Sequence, residues 1–346
     1  MKKIIVAPLN WGLGHASRCV PIIHFLLENN FVPILASDGK ALAFLQKEFP
    51  DLESLELPSY NISYTKNLKL GLLIQFPKII KAIQKETIVI GDFIAKNNDV
   101  VGIISDNRFG VRNAKIPSVY ITHQLNVLSG FFTFFSTKIH QKIIQKFNEC
   151  WVPDSKENSL SGKLSKSTNK KLNLKYIGAL SRFEKVNIPI KNSILIVLSG
   201  IESQRKRLEE NLLQVFKNYP KKVVLVQGKI EENQTKKTIG NLTVYNYLLS
   251  KELETEINQS EIIICRSGFS SIMDLAVLEK QAFFIPTKSQ TEQEYLAKHL
   301  EVIKCAPFSK EEDFKLSALD EVKNYIGLSC NQNKLDKKLL CLFKRE

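Results

Sequence analysis

A histidine and an arginine, His15 and Arg18, stand three residues apart just behind two glycines, Gly12 and Gly14. The string Asn10-Trp11-Gly12-Leu13-Gly14-His15 follows a short apolar run and precedes a helical pattern. Glycines there let the backbone come close to a ligand, and the helix N-terminus beyond favours negative charge. An imidazole at that mouth can accept a proton near neutral pH, which is general-base chemistry. A capping turn with a surface histidine is the plainer reading, and the junction shared with Arg18 weighs against it. The third glycine of a dinucleotide-binding GxGxxG is missing, because Ser17 stands in its place. Asp38 is the one acid placed to hold a cofactor ribose, so a dehydrogenase is disfavoured.

Three further strings have the same form, an apolar run followed by small polar residues and a helical pattern. Ser199-Gly200 precedes Glu202 and Arg205. Its turn can offer backbone N–H groups to a phosphate, with Arg205 adding charge, and an ordinary helix start explains it equally well. Arg266-Ser267-Gly268 follows Cys265 and opens a helix, which makes an anion cradle, and Asp274 lies farther along as an acceptor for ribose hydroxyls. Pro286 ends another apolar run, and Gln293 and Glu294 follow at a helix start, where they can read sugar hydroxyls. Taken singly, these last two strings are also explained as helix starts.

The elements that must position these strings alternate. Strands are predicted at 3–8, 32–37, 100–106, 118–124 and 150–153, then at 194–199, 222–227, 243–247, 261–265 and 282–286. Runs such as IIV, VGIIS, ILIVL and IIIC suit strands buried on both faces of a parallel sheet. Helical patterns at 17–27, 202–216, 269–278 and 292–300 lie between them. The class is α/β, with two Rossmann-like doubly wound domains facing a cleft. The domains are 1–182 and 183–346, the second with a closing helix over 331–346. The polar stretch 154–175 reads as an exposed loop at the boundary.

Composition sets the outer limits. The chain has 346 residues, 44% hydrophobic and 24% charged, which excludes wholesale disorder. No apolar run is long enough to span a membrane, and the N-terminal run is too short for a signal peptide. The 6 cysteines form no CxxC pair, so no metal site is expected and reduced thiols in a cytoplasm are the simplest reading. A net charge of +14 favours an anionic partner. Nucleic acid is the lesser choice, because no RNP, KH or zinc signature accompanies the charge. A membrane surface gains from two basic, apolar segments. Residues 66–85 hold five lysines and no acid, and 130–147 set Phe131, Phe132, Phe134 and Phe135 beside Lys138, Lys142 and Lys146. Core helices with solvated lysines are the competing reading.

Together and in this order, the four strings resemble the MurG-like group of GT-B glycosyltransferases, whose type member moves N-acetylglucosamine from a UDP-sugar to a lipid-linked acceptor. The likeness is strongest over 244–300. It implies His15 as catalytic base, with Gly12, Gly14, Asp106, His123, Gln124 and Asn126 on the acceptor side. For the donor it implies Arg182, Ser199, Gly200, Arg266, Ser267, Gly268, Asp274, Gln293 and Glu294, with the uracil near Tyr247 and Leu248. Asp106 would orient His15. The implied reaction inverts the anomeric carbon and needs neither metal nor cofactor, the UDP-sugar being a co-substrate. The implied place of work is cytoplasmic, on the inner face of the membrane. The first loop has fewer glycines than the group's, Asp274 stands for its glutamate, and Gln293-Glu294 stands for a glutamine pair. The Gly12–Cys19 string also resembles nucleotide-sugar hydrolases, which is the alternative activity. A 2-epimerase lacks its extra carboxylates.

Overall fold

The computed structural model describes residues 1–60, 68–130, 133–330 and 334–344, with side chains omitted over 68–76. The chain forms two units, Met1–Leu180 with Lys334–Glu346, and Ser181–Asn333.

In the first unit the strands are β1 (Lys3–Pro8), β2 (Val32–Ser37), β3 (Ser54–Glu56), β4 (Val100–Asp106), β5 (Ser118–Ile121), β6 (Glu149–Val152) and β7 (Leu174–Tyr176). Their order in the sheet is β3-β2-β1-β4-β5-β6-β7, every neighbour parallel. Ile4, Ile5, Val6, Ile103 and Ile104 are all 0% exposed, as a sheet covered on both faces requires. The helices are α1 (Leu13–Glu28), α2 (Gly39–Glu48), α3 (Leu68–Lys96) and α4 (Thr133–Ile144). The chain leaves β1 toward β2 on one side, and β4 takes the place on the other. Between β1 and β4 is therefore the switch point, where the loops at the carboxyl ends part and leave room for a ligand. The register pairs Pro8 with Asp106, which sets Asp106 beside the start of the Gly12–His15 loop.

The second unit repeats the plan with β8 (Asn192–Val197), α5 (Glu202–Phe216), β9 (Val223–Val226), β10 (Lys236–Ile239), β11 (Leu242–Tyr245), α6 (Ser250–Asn258), β12 (Ser260–Cys265), α7 (Phe269–Val277), β13 (Gln281–Phe284) and α8 (Thr291–Val302). Its order is β10-β11-β9-β8-β12-β13, parallel except for the β10–β11 hairpin. Here the switch point lies between β8 and β12. The register pairs Val197 with Cys265, so the Ser199-Gly200 and Arg266–Gly268 turns open side by side. The α/β class with two doubly wound units, read from the sequence, is the one observed.

Three parts differ from expectation. The strands Ser54–Glu56, Leu174–Tyr176 and Lys236–Ile239 were not anticipated; they are short, lie at sheet edges and carry no apolar run. The closing segment is a 3-10 turn, Lys337–Phe343, in the first unit rather than a helix of the second. The reason is local. Phe343, 1% exposed, meets Trp151 edge to face at 6.4 Å and lies so close to Gly102 that a Cβ there would sit 2.2 Å from the ring. Residues 331–333 lie outside the described residues.

The polar stretch after β6, expected to be an exposed loop, is partly buried: Leu160, Ser161, Leu164 and Ser165 are covered. Asp154, 2% exposed, accepts hydrogen bonds from Ser159 and Ser165 Oγ at 2.7 and 2.8 Å and from Ser155 N at 2.7 Å. Tyr176 donates to Ser165 O at 2.7 Å. Such local hydroxyl–carboxylate bonds give a serine-rich segment a fixed shape without a hydrophobic run.

Candidate active site

At the switch point of the first sheet, His15 stands in the first turn of α1 and Asp106 at the end of β4, with no exposed surface on the carboxylate. His15 Nδ1 lies 2.9 Å from Asp106 Oδ1. Arg18, one turn on and 3% exposed, donates from Nε and Nη2 to the two oxygens of Asp106. Its Nη2 is also 2.9 Å from His15 Nδ1, and its Nη1 is 3.2 Å from Nδ1 of His123. Burial alone would raise the Asp106 carboxyl. The charges of Arg18 and His15 and their hydrogen bonds outweigh it and hold the pKa at about 2. Burial pushes the neighbouring Cys19 thiol well up, so it stays protonated.

Of the residues assigned to the acceptor side, Gly12, Gly14, Asp106 and His123 belong to this cluster. Gly12 caps α1 at φ +82°, a conformation that favours glycine, with open space where a Cβ would stand. Asn126 is turned elsewhere. Its amide donates to Lys163 O at 2.7 Å and Lys166 O at 2.6 Å, pinning the loop after β6. Gln124 caps its own turn, its N–H on Thr122 Oγ1 at 3.1 Å.

A second buried network, missed in the sequence, lies behind the first. Arg108, 0% exposed, donates from Nη1 to Asp38 Oδ1 at 2.6 Å, from Nε to Glu86 Oε1 at 2.6 Å and from Nη2 to Pro58 O at 2.7 Å. Tyr60 donates to Glu86 Oε2 at 2.8 Å, and Asn10 Nδ2 to Asp38 Oδ2 at 3.0 Å. Asp38 therefore serves Arg108 and the Asn10–Gly12 loop, which removes it as a cofactor-ribose acid. Five side chains so far apart in the chain carry no spacing signal.

In the second unit Ser199 and Gly200 are exposed, and Gly200 has φ +101° with open space beside it. The two arginines expected to face an anion there point inward instead. Arg205 is 5% exposed, with Nη1 on Gly228 O at 3.2 Å. Arg266 is 1% exposed and donates to Ile285 O at 3.1 Å, Pro286 O at 3.2 Å and Gln204 O at 3.3 Å, with Glu311 Oε2 at 2.9 Å as its ion pair. These guanidiniums tie α5 to the loop after β9 and the loop after β12 to α5 and the loop after β13.

The same bracing recurs around the cradle. Ser267 donates to Gln293 O at 2.8 Å, Gln293 Oε1 accepts from Thr287 N at 2.8 Å, and Glu294 Oε1 accepts from Ser289 N at 2.9 Å. Gly268 caps α7 with open space at its Cα. Asp274 accepts from Ser181 Oγ at 2.7 Å. Burial raises its carboxyl to about 6, against the opposing charge of Arg182. Arg182 lies over the Phe183 ring at 4.8 Å. Tyr247 and Leu248 are both 6% exposed; Tyr247 N donates to Asn246 Oδ1 at 2.9 Å and its carbonyl accepts from Gln234 at 3.3 Å.

On α4, Phe134 is 73% and Phe135 65% exposed, so these two are not core. Lys138 Nζ lies 4.8 Å from the Phe134 ring centre. Phe131, Phe132 and Lys66 lie outside the described residues, as does the side chain of Lys69. Among the described residues no helix is long and apolar enough to cross a membrane.

Residues 194–338 match the family described as the glycosyltransferase family 28 C-terminal domain. No curated protein matches the sequence. Solved structures resemble it over nearly its whole length at low identity. The glycotransferase of kitacinnamycin is 14% identical at a TM-score of 0.64, with 94% of this chain and 90% of that one covered. A spinosyn rhamnosyltransferase complexed with thymidine diphosphate is 10% identical at 0.63, covering 94% and 92%. The MurG of Acinetobacter baumannii is 14% identical at 0.54, covering 94% and 90%. The chain thus has the GT-B glycosyltransferase fold, and most of its second unit matches a family 28 C-terminal domain.

Proposed function

We propose that this protein is a glycosyltransferase that moves a hexose or N-acetylhexosamine from a UDP-sugar to a hydroxyl acceptor, with inversion. The observation that carries the reading is His15 held by a buried carboxylate at the switch point of one doubly wound unit, in a chain whose other unit matches a glycosyltransferase domain. In the tautomer with the proton on Nδ1, turned to Asp106, Nε2 of His15 is left to accept the proton of the acceptor hydroxyl. The acceptor oxygen bonds to the anomeric carbon as the bond from that carbon to the diphosphate oxygen breaks. The departing diphosphate gathers negative charge, which in this reading Ser199, Gly200, Ser267 and Gly268 meet with the backbone of their two turns. Asp274 takes the ribose hydroxyls, the turn at Tyr247 and Leu248 the base, and Gln293 and Glu294 the sugar. Arg266 acts by holding the loops in place.

The acceptor is lipid-linked in this reading, and the protein works at an anionic membrane surface. Exposed Phe134 and Phe135 beside Lys138 and Lys142 support that. So does the distribution of charge: the first unit holds 28 Lys+Arg against 15 Asp+Glu, the second 21 against 20. The test is turnover. His15→Ala abolishes sugar transfer and leaves UDP affinity within a few-fold; lost UDP binding would contradict its role as base. Release of free sugar at the same rate with and without acceptors would favour the hydrolase.

A further inference from the structure

The turn that leaves β11 for α6 takes its shape from one side chain. Asn246, 3% exposed, stands at its start. Its Oδ1 accepts from Thr235 N at 2.7 Å and from Tyr247 N at 2.9 Å. Its Nδ2 donates to Glu231 Oε2 and to Asn233 O, both at 2.8 Å. Backbone N–H groups only donate, which fixes the oxygen end of this amide, and both ends are then fully used. The main chain of Asn246 is used as well: its N–H donates to Thr235 O at 3.2 Å and its C=O accepts from Lys229 N at 2.8 Å.

The partners belong to the loop after β9. Residues 231–235 are all exposed and include no apolar side chain. A segment of that kind has no core to hold it, so its shape rests on hydrogen bonds. Gln234 adds a second tie, from Nε2 to Tyr247 O at 3.3 Å and to Glu252 Oε2 at 2.7 Å, and Glu252 Oε2 accepts from Leu249 N at 3.1 Å. Leu248 differs from its neighbours. It is 6% exposed, and among the described residues nothing accepts from its N–H or donates to its C=O. Covered backbone groups are nearly always paired, so this pair calls for a ligand edge with one acceptor and one donor. Uracil offers these as O4 and N3–H; cytosine carries them in the reversed order.

We infer that Asn246 is the positioning residue for base selectivity: by tying the loop at 229–235 to the turn at 246–249, it fixes where the N–H and C=O of Leu248 stand. This rests on the turn taking the base. It goes further in assigning selectivity for the base to a buried side chain that touches no nucleotide.

The experiment is calorimetric titration of the whole protein with UDP and with CDP, which differ only at that edge. It compares wild type with Asn246→Ala and Glu231→Ala. In Asn246→Ala, UDP binding weakens by about ten-fold or more and CDP binding by no more than about two-fold, so the selectivity collapses. Glu231 is exposed, so Glu231→Ala folds as wild type does; it removes a single bond to Asn246, and its selectivity falls in the same sense by a smaller factor. Asn246→Asp also loses selectivity, because its second oxygen faces the Glu231 carboxylate, and Glu231→Gln in the same chain returns part of it by supplying a donor. These last variants decide the matter if Asn246→Ala fails to fold. UDP and CDP weakened by the same factor, or a selectivity unchanged in the variants, would overturn the proposal. A wild type that binds UDP and CDP alike would refute the base turn, and one that binds neither would refute the nucleotide site; the role of Asn246 would fall with either.

Discussion

Replacing Asp106 by asparagine tests the site without any knowledge of the substrate. The carboxyl sits at about 2 in the fold against an ordinary 3.8. At ~1.4 kcal/mol per pH unit, its surroundings favour the charged form by roughly 2–3 kcal/mol. Asparagine removes that charge and leaves Arg18, 3% exposed, without a counter-ion, a loss of ~3–5 kcal/mol for a broken buried pair. Arg18→Met in the same chain removes the orphaned cation, so the double variant recovers at least ~2 kcal/mol. The assay is urea unfolding followed by tryptophan fluorescence. The 2 tryptophans, Trp11 and Trp151, both lie in the first unit, so the signal reports that unit alone. The sign with pH is fixed as well. A depressed carboxyl contributes its stability above its unfolded value and loses it as pH falls through the folded one. The gap between wild type and Asp106→Asn therefore closes between about pH 4 and pH 2. An asparagine variant within ~1 kcal/mol of wild type, or a double variant no better than the single, would refute the ion-pair reasoning.

Asp274 behaves in the opposite sense. Its carboxyl is raised to about 6, so its charged form costs stability that is fully felt above that pH and vanishes below about pH 4. Asp274→Asn is expected to be more stable than wild type at pH 7 and equal to it near pH 4, by thermal melts. UDP-sugar affinity in wild type should fall as pH drops through about 6, by calorimetry. Gly102→Ala drives a Cβ to 2.2 Å from the Phe343 ring and should destabilise the first unit; Phe343→Ala in the same chain should recover part of the loss. Phe134→Ser with Phe135→Ser should leave the melting temperature unchanged, because both rings are exposed, and should weaken binding to anionic vesicles in flotation assays. Gly200→Ala, at φ +101°, should lower nucleotide affinity and cost about 1–2 kcal/mol, by calorimetry and urea unfolding.

Both sheets were legible because their central strands are unbroken apolar runs, and a two-face-buried strand has no other way to be written. Edge strands such as Lys236–Ile239 are exposed and polar, so nothing marks them before their neighbour is in place. The loops were legible as small-residue strings after strands, and His15 with Arg18 as a pair one helical turn apart. The direction of a long side chain was not. Arg205 and Arg266 read as anion ligands because they are charged and stand at helix starts, but carbonyls from distant loops claim them inside. The loop after β6 read only as an exposed loop, because Asp154 orders it through serines, a pattern that composition does not reveal. Asn126 was displaced from the site for the same reason: its partners, Lys163 and Lys166, are carbonyls of that loop.

The central claim is most directly tested by calorimetric titration of the purified protein with UDP, GDP, CMP, TDP and their sugar conjugates. The account predicts selective binding of UDP and of one UDP-sugar, kept within a few-fold in His15→Ala and weakened by roughly ten-fold or more in Asp274→Ala, the scale of a buried polar group left unpaired. No binding of any nucleotide, or binding indifferent to Asp274, would contradict it.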